Sequence, residues 1–141
     1  MLISNATTIF FDFDGVIKDS VRVKSEAFEK LFSSFGDKAS KKVRRHHESN
    51  GGMSRFEKIP IYLEWVNLPS TPIVVGKFSN EFSKLVMQKV IDSEWVPGVL
   101  NFIENNYKIK NLFIVTATPQ SEIEEIINRI GIAKCFKKII G

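Results

Sequence analysis

A run of β-branched and aromatic residues, Thr7–Phe11, leads directly into Asp12-Phe13-Asp14-Gly15, and this junction constrains the fold more than any other stretch of the chain. The run lacks polar alternation, so it predicts a strand buried on both faces, the pattern of a parallel sheet. In extended backbone residues i and i+2 share a side, so Asp12 and Asp14 project together while Phe11 and Phe13 face elsewhere. Gly15 lets the chain turn away. Two carboxylates held close repel by about 4 kcal/mol at an effective dielectric of ~20, so the pair calls for a cation or a shared proton. Magnesium, which takes one or two carboxylates plus waters and a phosphate oxygen, suits such a pair at the carboxyl edge of a parallel sheet. The alternative for a bare Asp-x-Asp-Gly is a solvated acidic turn.

After this junction the periodicity becomes helical and stays so for most of the chain. Val23, Ala27, Phe28, Leu31, Phe32 and Phe35 predict one helix over 20–35 with Gly36 as its stop. A basic helical stretch, 38–48, is broken by Asn50, Gly51 and Gly52. Ser54 and Glu57 then form a capping box for a further helix, which Pro60 is expected to kink or delay. Thr71 and Pro72 open another helix, with Phe78, Phe82, Leu85, Val86 and Val90 on one stripe. From Pro97 the order is short helix, strand (Leu112–Val115), helix and strand (Phe136–Ile140). Thr118 is read as the cap of the last helix, whose Ile123, Ile126, Ile127 and Ile130 share a face and whose stop is Gly131. The predicted fold is α/β: a Rossmann-like parallel-sheet core formed by 1–17 and 95–141, with an all-helical insert over 18–94.

With 141 residues, the chain is long enough for one core and a small insert. A lone Cys135 cannot form an internal disulfide, which makes a reduced, cytoplasmic setting the expectation. The opening Met1–Ala6 lacks the basic start and apolar stretch of a leader, and no apolar run approaches the roughly 20 residues of a membrane span. No membrane partner is expected. The net charge of +4 is partly local, in Lys41, Lys42, Arg44 and Arg45, followed by His46 and His47. No aromatic interleaving or nucleic-acid motif accompanies this run, so it reads as a solvated helix face and no nucleic-acid partner is expected. Adjacent histidines on a helix point in different directions, and neither is assigned to a metal.

Thr116 follows the apolar Leu112–Val115 run directly, so its hydroxyl is expected at the same carboxyl edge as the two acids, with a helix start just beyond. Unpaired N–H groups and the positive end of a helix dipole suit a phosphoryl group. FFDFDGVIKDS at 10–20, the helical insert, PGVLNFIENN at 97–106, FIVTATP at 113–119 and the terminal IIG together resemble haloacid dehalogenase superfamily hydrolases of the phosphoglycolate phosphatase-like branch. The resemblance implies that Asp12 is a nucleophile taking the phosphoryl group as an aspartyl phosphate. Asp14 would protonate the leaving oxygen and then activate water. Thr116 and Ala117 would bind the phosphoryl oxygens, and Asp12 with the Asp14 backbone carbonyl would hold Mg2+. Asp14 argues against true dehalogenation, which has no alkoxide to protonate.

The resemblance further implies that the helical insert is a cap closing over a small phosphorylated metabolite, a sugar phosphate or a phosphoglycolate-like compound. Within it Gly51 and Gly52 would let backbone approach the substrate and Arg55 would grip an anion. Each also reads as loop punctuation or surface charge. The family has a lysine after the third strand and acidic residues on a further strand; the sequence reaches Gly141 before either, and Lys134, Lys137 and Lys138 are assigned to neither role. The chain therefore reads as the amino-terminal part of a longer enzyme, with an unpaired edge on its first strand that invites a homo-oligomer. A magnesium-dependent phosphatase is the leading expectation. A phosphomutase and a non-catalytic binding or assembly module are the alternatives, and a bare phosphate-receiver domain is disfavoured by the insert.

Overall fold

The computed structural model describes residues 5–141; Met1–Ser4, part of the opening read above for a leader, lie outside the described residues. The chain forms two compact units, one made of the segment up to Ser20 together with Val90–Gly141, the other of Val21–Lys89.

The first unit carries a parallel sheet of β1 (Thr8–Phe11), β2 (Asn111–Val115) and β3 (Lys138–Ile140), in the order β1-β2-β3. Phe11 pairs with Ile114, and Ile114 with Ile139. Leu112 and Ile114 are fully buried on one face of the central strand, whereas on the other Phe113 is half-buried and Val115 is exposed. The outer strand β1 departs from the expectation of burial on both faces. Phe11 is buried edge-on against Phe102 and Phe136, whereas Phe10 stacks on Phe113 at 5.0 Å and remains 64% exposed. Phe102 belongs to α5 (Val99–Asn106), so the helix covers only one of the two aromatic rows. β3 is also shorter than predicted, beginning at Lys138 after a 3-10 turn at Ala133–Cys135. Helix α6 (Gln120–Arg129) buries Ile123, Ile126 and Ile127, and Gly131 (φ +81°) ends its run as read from the sequence.

The second unit is all-helical: α1 (Val21–Leu31), α2 (Asp37–Ser49), α3 (Arg55–Trp65) and α4 (Pro72–Asp92), the last running on into the first unit. The single helix predicted over 20–35 is instead α1 followed by a separate 3-10 turn, Ser33–Phe35, closed by Gly36 at φ +97°. The capping box forms as predicted, with the Ser54 hydroxyl accepting the Phe56 N–H and the Glu57 carboxylate accepting the Ser54 N–H. Pro60 does not delay α3, which runs unbroken from Arg55 to Trp65. The proline deprives only the Phe56 carbonyl of its partner, and Phe56 lies in the exposed first turn, where water can replace the lost bond.

An aromatic cluster makes the core of this unit. Phe28 lies 4.1 Å from Phe82 and 5.5 Å from Tyr62 between ring centroids, and Phe32 lies 5.6 Å from Tyr62 and 5.2 Å from Phe78. Each fully buried ring contributes about 1.5–3 kcal/mol through loss of apolar surface from water. The basic run lies on α2. Arg44 pairs with Glu29 at 2.7 Å and Glu48 at 2.9 Å, Lys42 sits 3.8 Å over the Trp65 ring, and Lys41 and Arg45 are exposed. The two histidines diverge: His46 Nδ1 is 3.0 Å from the Tyr62 hydroxyl, while His47 is buried with its Nδ1 3.0 Å from Lys58 Nζ.

Burial pushes the Tyr62 phenol well above the ordinary tyrosine range. The unfolded chain releases this proton near pH 10 and the folded chain does not, so above that pH the folded state binds more protons and stability falls. The melting temperature is expected to drop more steeply above about pH 10 in the wild type than in Tyr62→Phe. Parallel slopes in thermal scans across pH 9–12 would refute this.

Candidate active site

Asp12 follows the last residue of β1 and Thr116 the last residue of β2. Because these strands are parallel neighbours, about 5 Å apart, with Phe11 opposite Ile114, both residues lie at the same carboxyl edge, Thr116 one register position beyond Asp12. Asp12 is exposed, and its Oδ1 accepts the Phe13 N–H at 2.6 Å. The Phe13 carbonyl accepts the N–H groups of Val16, Ile17 and Lys18, which coils the chain tightly after the strand. Gly15 makes this coil possible with φ +75°, in the left-handed region. The coil returns Ser20 to Asp14, and the Ser20 hydroxyl donates to Asp14 Oδ1 at 2.6 Å.

Ser20 carries no role in the sequence reading, although Asp19-Ser20 belongs to the motif quoted there. A glycine turn that folds the chain back within six residues is the signal that could have found it. The returning segment is secured at its base: the Asp19 N–H donates to the Glu94 carbonyl at 2.9 Å and the Val96 N–H to the Ile17 carbonyl at 3.0 Å. Lys18, itself buried, lies 4.6 Å over the Trp95 ring. Burial lowers the pKa of its ammonium, opposed by Glu94 and Asp92.

Thr118 is not the cap of α6, contrary to the sequence reading. Pro119 takes the N-cap position with no side-chain bond, and Thr118 is 2% exposed with its N–H donating to Thr116 Oγ1 at 3.2 Å. The two threonine hydroxyl oxygens are 3.4 Å apart. The Thr116 N–H donates to the Ile140 carbonyl at 3.0 Å, so the start of the loop is fixed by the sheet. Ala117 is exposed between the two threonines. Beyond Pro119 the N-terminus of α6 presents its first backbone N–H groups.

Asp12, Asp14, Thr116 and Ala117 thus lie in one unit. Gly51, Gly52 and Arg55 lie in the other. Neither glycine has a positive φ, and a Cβ at either would meet nothing within 4 Å, so the backbone there does not require glycine. Arg55 is 5% exposed; its Nη1 donates to Ser83 Oγ at 2.6 Å and its guanidinium lies 4.6 Å from the Phe82 ring centre.

Among the described residues no group of three or more His, Cys, Asp or Glu side chains is placed to hold a metal ion. The Asp12 carboxylate and the Asp14 carbonyl are hard oxygen donors. They fit an ion such as Mg2+, which binds through one or two carboxylates and keeps waters and a substrate oxygen in its shell, but they do not make a complete protein cage. Among the described residues no helix is long and apolar enough to cross a membrane.

The architecture is that of an α/β protein whose first and second parallel strands are separated by an all-helical unit. A family model for haloacid dehalogenase-like hydrolases matches residues 9–141, and the chain belongs to that family. A phosphorylated carbohydrates phosphatase of Thermotoga maritima is 27% identical over 135 residues, covering 94% of this chain and 59% of that protein. Among solved structures, a Bacteroides fragilis protein provisionally named a haloacid dehalogenase-like hydrolase superposes with a TM-score of 0.72 at 18% identity, over 97% of this chain and 63% of that one. A β-phosphoglucomutase of Clostridium difficile gives 0.71 at 23% identity, over 95% and 60%. The chain spans about three fifths of the length of these relatives.

Proposed function

We propose that the protein is a magnesium-dependent phosphatase acting on a small phosphorylated carbohydrate. The observation that carries this reading is the placement of Asp12, Asp14 and the Thr116–Thr118 hydroxyl pair beyond the carboxyl ends of adjacent parallel strands. The printed activity of the Thermotoga maritima relative supports the substrate class. An Asp12 carboxylate oxygen attacks phosphorus, the bond from phosphorus to the sugar oxygen breaks, and Asp14 gives that oxygen its proton. Water then attacks phosphorus, Asp14 takes the water proton, and the bond to Asp12 breaks to release phosphate.

The Phe13 N–H orients the nucleophilic carboxylate and the Ser20 hydroxyl orients the acid–base carboxylate. The Thr116 hydroxyl and the N-terminus of α6 bind phosphoryl oxygens. Asp12 and the Asp14 carbonyl would hold Mg2+, which when bound offsets the charge between a carboxylate and a phosphate dianion. The helical unit acts as the cap that selects substrate. Within it the Arg55 guanidinium, held in one orientation by Ser83 and Phe82, is the group proposed to recognise an anionic substrate.

The test is release of inorganic phosphate from a panel of hexose and pentose phosphates with added Mg2+, followed by product analysis. Release with loss of the monophosphate is the expected result. Return of the phosphoryl group to another carbon of the sugar would replace the reading with a mutase, and neither reaction together with no magnesium-dependent phosphate binding would overturn it.

A further inference from the structure

Gln120 has no role in the reading of the sequence, yet its side chain joins the phosphate loop to the sheet. It is the first residue of α6. Its Nε2 donates to the Ile139 carbonyl at 3.0 Å and its Oε1 accepts the Gly141 N–H at 2.7 Å. These groups flank Ile140, whose own carbonyl accepts the Thr116 N–H at 3.0 Å. One short stretch, Ile139–Gly141, therefore holds both ends of the Thr116–Pro119 loop, by backbone at its start and by the Gln120 amide just past its end. The approach is close. A Cβ at Gly141 would fall inside contact distance of the Thr118 carbonyl oxygen and 2.7 Å from the Gln120 nitrogen, so the Gly141 position has no room for a side chain unless the loop moves. A third contact, from Nε2 to Glu124 Oε1 at 2.6 Å, lies within α6 and does not touch the sheet.

We propose that Gln120 is a positioning residue which fastens the Thr116–Pro119 loop to β3 and thereby sets the affinity of that loop for a phosphoryl group. The affinity half of this proposal rests on the phosphatase reading above; the fastening half does not. A loop held at one end samples orientations in which the Thr116 hydroxyl and the first N–H groups of α6 no longer converge, and binding must then meet the entropy of ordering it. The Thr116 hydroxyl and the first N–H groups of α6 touch the ligand in this scheme, and the Gln120 side chain acts through them.

The experiment uses the 141-residue chain with Mg2+ and inorganic phosphate as probe, and follows amide hydrogen exchange at Thr116 and Gly141 by NMR. Gln120→Met keeps side-chain length and helix propensity but removes both bonds to β3. Exchange at Gly141 is expected to accelerate and phosphate affinity to fall about five- to tenfold, the effect of losing one to two hydrogen bonds. Gly141→Ala is expected to lower affinity in the same direction by displacing the loop. Glu124→Ala removes only the contact within the helix, so its affinity should stay within about twofold of wild type. Wild-type affinity in Gln120→Met, or an equal loss in Glu124→Ala, overturns the proposal. A wild-type chain that binds no phosphate refutes the phosphatase reading and the affinity half with it, while unchanged exchange at Gly141 in Gln120→Met refutes the fastening by itself.

Discussion

Replacing Asp12 with Asn is expected to abolish phosphate release, lowering turnover by roughly three orders of magnitude or more, with no change in melting temperature. The two side chains have the same shape, and the Asn carbonyl can still accept the Phe13 N–H, so the local coil survives. What disappears is the anionic oxygen that in the proposed mechanism attacks phosphorus and would help hold Mg2+. Asp14→Asn is expected to behave differently. It removes proton transfer, worth about 10²–10⁴ with a sugar leaving group. The loss in the transfer step should be much smaller with p-nitrophenyl phosphate, whose phenolate departs without a proton. Phosphate release by Asp12→Asn at a rate near wild type would refute the assignment of the nucleophile, and equal losses in the transfer step on both substrates in Asp14→Asn, read from single-turnover kinetics, would refute that of the acid.

Truncating Phe28 to Ala should produce the largest loss of stability of any single change in the helical unit, about 3–5 kcal/mol. The ring is 2% exposed and touches three others, with centroids 4.1 Å from Phe82, 4.8 Å from His47 and 5.5 Å from Tyr62. These rings come from four different helices, so the resulting void cannot close by moving one of them. A domain of this size has about 5–15 kcal/mol in hand, so the unit approaches its unfolding midpoint before any denaturant is added. Phe56→Ala serves as the contrast, since Phe56 is 52% exposed and its loss should cost under about 1 kcal/mol. Urea unfolding of both variants measures the difference, and similar midpoints would show that the aromatic cluster is not the core of the unit.

The positions of Asp12 and Thr116 at the sheet edge were legible because each directly follows an apolar strand, whereas Asp14 lies two residues further on, in the coil that Gly15 permits. The capping box at Ser54 was legible for a similar reason, since all its bonds lie within four residues. Contacts that join distant segments were not. Thr118 has the spacing of a cap, but the proline after it takes that position and the threonine hydroxyl turns to Thr116 instead. Gln120 looks like any polar residue opening a helix until β3 is placed beside it. Phe10 reads as buried because periodicity reports apolar faces and not what covers them. Arg55, for which surface charge was one of two readings, lies inside the helical unit at 5% exposure, as does Lys58 at 1%. His47, 3.0 Å from Lys58 on a different helix, supplies the missing information.

The paired backbone at Ile17–Asp19 and Glu94–Val96 brings the beginning and end of a long excursion to a single point. A stretch that leaves and rejoins through such a closed stem behaves as an interchangeable cassette. A change of length or composition within it leaves the pairing of β1, β2 and β3, which lies wholly in the other unit, as it is. Chimeras cut at that stem test directly whether the helical unit carries the substrate preference proposed for it.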